Sequence, residues 1–377
     1  MRQTIPLPTL APVKASAKHY AALDGLRGIA ILDVMLYHFS GSYKGTNPIL
    51  RIWGSIADSG WMGVDLFFVL SGFLITGILF DTAFTENKTK NFYARRALRI
   101  FPLFYGVLVG LLLLTPVLHL HWRPGHLLFF FYLSNMTDFF APNLAPVHNW
   151  INLGHLWSLA VEEQFYMLWP FVVWWIRDRR KLLWIILGVL IAGPLLRGLL
   201  LWEGMNPGTI SRLLITRADS LLFGGAVALI VRGPEADRIP VRQILTVSSA
   251  LFVLLLFLSH GPVADSPWMS SIGYSVIAAC SACLVFLAQQ GSNWVSRSFE
   301  HPFLRFFGRY SYGLYIYHGI YFVYLRHLSG SLQNVVHSET LAQLLDFAFG
   351  FGISIGLAML SYHCFEAPIL RLKRKFA

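Results

Sequence analysis

The sequence predicts an all-α protein, a polytopic integral membrane helix bundle of about ten transmembrane helices with a re-entrant or interfacial outer segment. Three observations carry that prediction. Hydrophobic residues make up 55% of the 377 and charged residues only 13%, where a soluble domain has roughly 25% charged. Apolar runs of about 20 residues, enough helix to cross a hydrocarbon core, recur along the chain. Lys and Arg fall in short blocks between those runs rather than in one stripe. So few charges cannot coat an ordinary cytoplasmic enzyme, and the apolar content excludes a disordered chain. The net charge of +11 therefore reads as membrane topology, and nucleic acid is not an expected partner.

The elements follow in order. Residues 1–21 read as a cytoplasmic tail without a cleavable leader, because they contain Pro and Lys and the first apolar stretch carries charges. The window 22–42 contains LDGLRGIAILDVMLYHF, in which Arg27 and His38 stand eleven residues apart. On a helix they are about 20° from eclipsed and about 16 Å apart in rise, so they share a face. The window 59–80 contains WMGVDLFFVLSGFLI, with Asp65, Ser71 and Gly72 among apolar neighbours. An acid at that depth needs a cation or a polar cavity. The window 98–118 is opened by NFYARRALRIFP, where Arg96 and Arg99 are neighbours on one face. Paired guanidinium forks there suit a phosphate or diphosphate.

The apolar stretch HLLFFFYLS, residues 126–134, is too short to cross as a helix. Leaving it uncrossed puts 22 of the 30 Lys and Arg on one side and five on the other. The positive-inside rule makes the richer side cytoplasmic, and both termini with it. The rest of 119–156 is crowded with aromatics and with His119, His121, His126 and His148. These read as interface anchors, with sugar stacking as the rival, and their spacing gives no metal site.

The window 157–176 opens within GHLWSLAVEEQFYMLWPF, which carries Trp157, Ser158, Glu162, Glu163 and Tyr166. Adjacent glutamates on a helix point about 100° apart, so at least one should face a polar cavity. Ser158, Glu162 and Tyr166 share a face. After the window 182–202, TRADSLLFGGAVA opens 216–231 with Arg217 and Asp219, expected at a cavity mouth. The window 243–260 has no such group, and in 271–288 Cys280 and Cys283 read as packing rather than redox residues. In 306–325, GRYSYGLYIYHG sets Ser311 and His318 on one face, and HCFEAPIL closes 341–363. Residues 369–377 form a basic cytoplasmic tail, which leaves 22–368 as one transmembrane domain.

Together these motifs resemble the membrane acyltransferase-3 family. The resemblance runs from Leu23 to Pro368 and rests on LDGLRGIA with YHF, GVDLFFVLSGFLI, RRALRIFP, HLWSLAVEEQFY, TRADSLLFGGAVA, GRYSYGLYIYHG and FEAP in that order. It implies an integral O-acyltransferase that takes an acyl group, usually acetyl from cytoplasmic acetyl-CoA, to a hydroxyl of a glycan or glycosylated small molecule. It also implies that the pair matching Arg27 and His38 is essential and that the pair matching Arg96 and Arg99 serves the acyl-CoA. Many members carry an extracytoplasmic SGNH esterase-like domain, and the expectation here is a stand-alone form without it.

The expected catalytic groups are His38, as general base or as the bearer of an acyl-histidine intermediate, with Glu162, Glu163 and Asp65. Arg27, Arg96, Arg99, Ser71 and Tyr166 are expected at the donor acyl-CoA, and Trp157, Ser158, Arg217, Asp219 and His318 at the acceptor. No metal is expected. The expected setting is the bacterial cytoplasmic (inner) membrane, with a lipid bilayer, acyl-CoA and a glycan acceptor as partners; a homo-oligomer fits the same reading. The rival from another class is a proton-coupled transporter or flippase that uses the buried charges as relays and consumes no acyl-CoA.

Overall fold

A computed structural model describes residues 21–40, 48–291 and 293–376. Among these residues, ten helices of at least 17 residues occupy the ten apolar windows: α1 Ala21–Ser40, α2 Gly63–Asp81, α3 Lys88–Leu113, α4 Trp157–Ile176, α5 Arg179–Trp202, α6 Leu214–Ile230, α7 Val241–Leu258, α8 Tyr274–Gln290, α9 Pro302–Val336 and α10 Glu339–Ser361. Among the described residues, six helical stretches are long and apolar enough to cross a membrane by length and composition alone. The long helices outside that set, α1, α4, α6 and α9, carry Arg27, the two glutamates, Arg217 with Asp219, and Arg309 with His318. The tail 1–21 lies outside the described residues but for Ala21.

Two elements depart from their windows for local reasons. Helix α3 starts ten residues before its window, from Asn87 in a left-handed conformation. The stretch KTKNFYARRA is polar but made largely of good helix formers, so the basic block is helical rather than a loop. Helix α9 runs 35 residues and continues past its apolar window. The outer segment folds as short helical turns, including Leu127–Phe130 and Thr137–Phe140, and not as a crossing helix. His126 is buried there, with Nε2 on the Ala145 carbonyl and Nδ1 accepting from the Arg123 amide.

Helix α2 is the hub, packed against α1, α4, α6 and α8. Small residues let it come that close. A Cβ on Gly72 would overlap the Leu221 carbonyl, and one on Gly224 would overlap that of Val69, so α2 and α6 touch backbone to backbone. Helix α9 lies along α1 and α10, while α5 and α8 flank α6. In the apolar window of the α8 stretch 72% of residues are buried, and in that of α7 only 11%. Helix α7 thus presents most of its apolar surface outward, as a lipid-facing helix does.

Candidate active site

A cavity opens among α1, α2, α3, α4 and α9. Helix α1 supplies Arg27, α2 Phe67, Phe68 and Ser71, and α3 Arg96 and Arg99. Helix α4 supplies Ser158, Glu162, Glu163 and Tyr166, and α9 supplies Ser311, Tyr312 and Tyr315. The fold thus brings together the RxxR pair, both glutamates and the Arg27 end of α1.

The polar groups are tied to one another. Tyr166 donates its hydroxyl proton to Glu162 Oε2 at 3.0 Å, one helical turn away. That leaves Ser71 Oγ to donate to the Tyr166 oxygen across from α2. The Arg96 guanidinium sits 4.5 Å from the centre of the Tyr166 ring, a cation–π contact that aims it at the cavity. Glu163 is buried, and its Oε1 has no hydrogen-bond partner among the described residues. Arg27 makes a 3.5 Å ion pair with Asp24 on its own helix.

His38 and His318 do not line this cavity. They form a second cluster beyond Tyr315, whose ring centre lies 5.5 Å from that of His318. His318 is 5.0 Å from His38 and 5.6 Å from His155. Nδ1 of His38 is 2.9 Å from the Val34 carbonyl and Nδ1 of His318 is 2.9 Å from that of Leu314. A carbonyl only accepts, so each Nδ1 carries a proton. Tyr315 and Ser158 bridge the two regions: their hydroxyls are 2.5 Å apart, and Tyr315 donates to the His155 carbonyl at 3.0 Å.

Asp65, Arg217 and Asp219 lie elsewhere, outside the cavity lining. Arg217 donates to Asp65 at 2.6 Å with both side chains 1% exposed, and Ser220 adds a hydrogen bond. Asp219 takes two bonds from Arg197, at 3.0 and 2.9 Å, in a pair fully shielded from solvent. These pairs clamp α6 to α2 and α5. They sit within the packed bundle, not at a mouth, because each acid met a cation from another helix. Trp157 packs edge-on against Phe68, 6.1 Å between centres.

A family model described as an acyltransferase domain, Acyl_transf_3, matches residues 20–363. The chain belongs to that family. It is 29% identical to the peptidoglycan O-acetyltransferase OatA of Listeria monocytogenes over 80% of this chain and 49% of that protein. It is 28% identical to the O-acetyltransferase OatA of Staphylococcus aureus over 94% of this chain and 58% of that one. A putative O-acetyltransferase of S. aureus strain COL matches at 28% over 93% and 57%. The chain spans about half the length of these curated relatives. No solved structure matches it.

Within this acyltransferase-family bundle the sequence reading set Ser311 and His318 on one face of α9 but gave Ser311, Tyr312 and Tyr315 no part in the site. Ser311, Tyr312 and Tyr315 line it, and Tyr312 donates to the Ile100 carbonyl at 2.7 Å, fixing α9 to α3 beside Arg99. The signal was present in GRYSYGLYIYHG, where hydroxyl-bearing residues recur between aliphatic ones.

Proposed function

We propose that this protein is a membrane-embedded O-acyltransferase that moves an acyl group, most simply acetyl, from cytoplasmic acyl-CoA to a hydroxyl of a cell-surface or exported glycan. We place it in the bacterial inner membrane with both termini in the cytoplasm. The observation that carries this reading is the joining, on one helix, of a cationic cavity to a histidine cluster. Arg27 lines the cavity and His38 sits about 16 Å further along α1. A donor whose phosphates meet Arg27, Arg96 and Arg99 reaches toward His38 with its extended pantetheine arm.

In the step that follows, the acceptor hydroxyl attacks the thioester carbonyl carbon while His38 Nε2 takes the hydroxyl proton. The tetrahedral intermediate collapses, the C–S bond breaks, and the coenzyme A thiolate leaves and recovers the proton from the histidinium. Ser158 and Tyr315 hold the passage between the two regions, with the Tyr315 proton given to the His155 carbonyl. The family match and the relatives' names favour this over a transporter, which would need no thioester.

The test is transfer from radiolabelled acetyl-CoA by protein in lipid nanodiscs. His38→Ala should still bind the donor and lose transfer by at least about 100-fold, within the range for removing a general base. Arg96→Ala with Arg99→Ala should lose donor binding itself. If the intact protein neither binds nor consumes acyl-CoA, the donor assignment fails and the transporter reading takes its place.

A further inference from the structure

The C-terminal segment Arg371–Phe376 does not project away from the bundle. It forms a turn of 3-10 helix packed on α3, the helix of Arg96 and Arg99. Of its four basic residues, Arg371, Arg374 and Lys375 are exposed and Lys373 is half-buried. On the α3 surface it lies within electrostatic reach of Arg99, Arg96, Arg95 and Arg27. Cations gathered against one another on partly buried ground repel unless an anion sits among them.

We infer that Lys373 is a donor-binding residue that holds the ribose 3′-phosphate of coenzyme A. This rests on the acyl-CoA reading above and adds a residue and a phosphate to it. Arg27, Arg96 and Arg99 line the cavity, whereas Lys373 lies outside its lining. The arginines therefore meet the diphosphate nearer the thioester, and Lys373 meets the phosphate farthest from it. An ammonium suits that task, since a terminal phosphate needs a point charge more than a planar fork. A lysine serving only to anchor the tail to lipid headgroups would point outward with Arg371, Arg374 and Lys375.

The experiment compares acetyl-CoA with acetyl-dephospho-CoA, which lacks only the 3′-phosphate, on full-length protein in nanodiscs. Lys373→Ala should raise the KM for acetyl-CoA about tenfold, the loss of one charge-assisted contact, with kcat unchanged. Its KM for acetyl-dephospho-CoA should stay within about twofold of the parent's. Lys373→Arg should recover most of the acetyl-CoA affinity, and the exposed Arg371→Ala should leave both donors unaffected. Equal KM shifts for the two donors, or no shift for either, would overturn the assignment to the 3′-phosphate while leaving the acyl-CoA reading standing. Failure of the unaltered protein to bind either donor would remove both.

Discussion

Tyr166 shows how much one side chain does in this cavity. Its hydroxyl accepts from Ser71 and donates to Glu162, and its ring carries the Arg96 guanidinium. The two functions can be separated by substitution. Tyr166→Phe keeps the ring and removes the hydroxyl's hydrogen bond to Glu162. A hydrogen bond to a charged group contributes about 1.5–3 kcal/mol, so kcat should fall about 10- to 100-fold, with the KM for acetyl-CoA within about twofold of the parent's. Tyr166→Leu also removes the cation–π contact, about 0.5–2 kcal/mol, and should raise that KM as well. Steady-state kinetics with labelled donor reads both. A KM effect without a kcat effect in Tyr166→Phe would make the hydroxyl part of donor binding rather than a support for Glu162. The i, i+4 spacing in the sequence already placed Glu162 and Tyr166 on one face. The Ser71 partner, 95 residues earlier, was not legible, because periodicity orders side chains around one helix and says nothing of which face meets which.

At the scale of elements, helix positions were readable because a span must be apolar for about 20 residues, and each of the ten windows holds a long helix. The roles of Asp65, Arg217 and Asp219 were less readable for the same reason as Ser71. Seen alone, an acid in GVDLFFVLSGFLI is equally a catalytic group or half of a clamp. The partner of Asp65 lies 152 residues away on α6, and pairing of that kind fastens helices together where water is scarce. The clamp makes its own prediction. Asp65→Ala leaves Arg217 buried and unpaired, a change that costs about 3–5 kcal/mol, and the purified protein should aggregate or melt well below the parent. The apolar pair Asp65→Leu with Arg217→Met should recover most of that stability, since replacing both partners of a buried ion pair is often neutral. Thermal unfolding in detergent measures stability, and transfer from acetyl-CoA measures activity. A double variant that folds and still transfers acetyl gives Asp65 a structural role; one that folds but is inert returns it to the chemistry.

At the scale of the whole molecule, the position of the bundle in the bilayer decides which compartment supplies the donor. Helix α5 carries its own ruler. Trp184 and Trp202 are 72% and 86% exposed and stand eighteen residues apart, about 27 Å along the axis. That nearly equals the roughly 30 Å hydrocarbon core, with Trp the residue that favours its two boundaries. The block Arg179, Arg180 and Lys181 lies at one end and Glu203 at the other. Arg27, Arg96 and Arg99 stand near the starts of α1 and α3, which alternating crossings put on the side where α4 finishes and α5 begins. With the native exposed Cys364 replaced by Ser, Glu203→Cys should react with a membrane-impermeant maleimide in intact cells. Arg180→Cys, exposed at the other end of the same helix, should react only after lysis. The inverse pattern would place the arginine cavity outside the cell, where acyl-CoA is not made, and the donor would then have to be an exported activated acyl group rather than coenzyme A thioester. Because both probes sit on one helix, a mixed result with both cysteines labelled in intact cells would mean that α5 does not span, and the count of crossings would change with it.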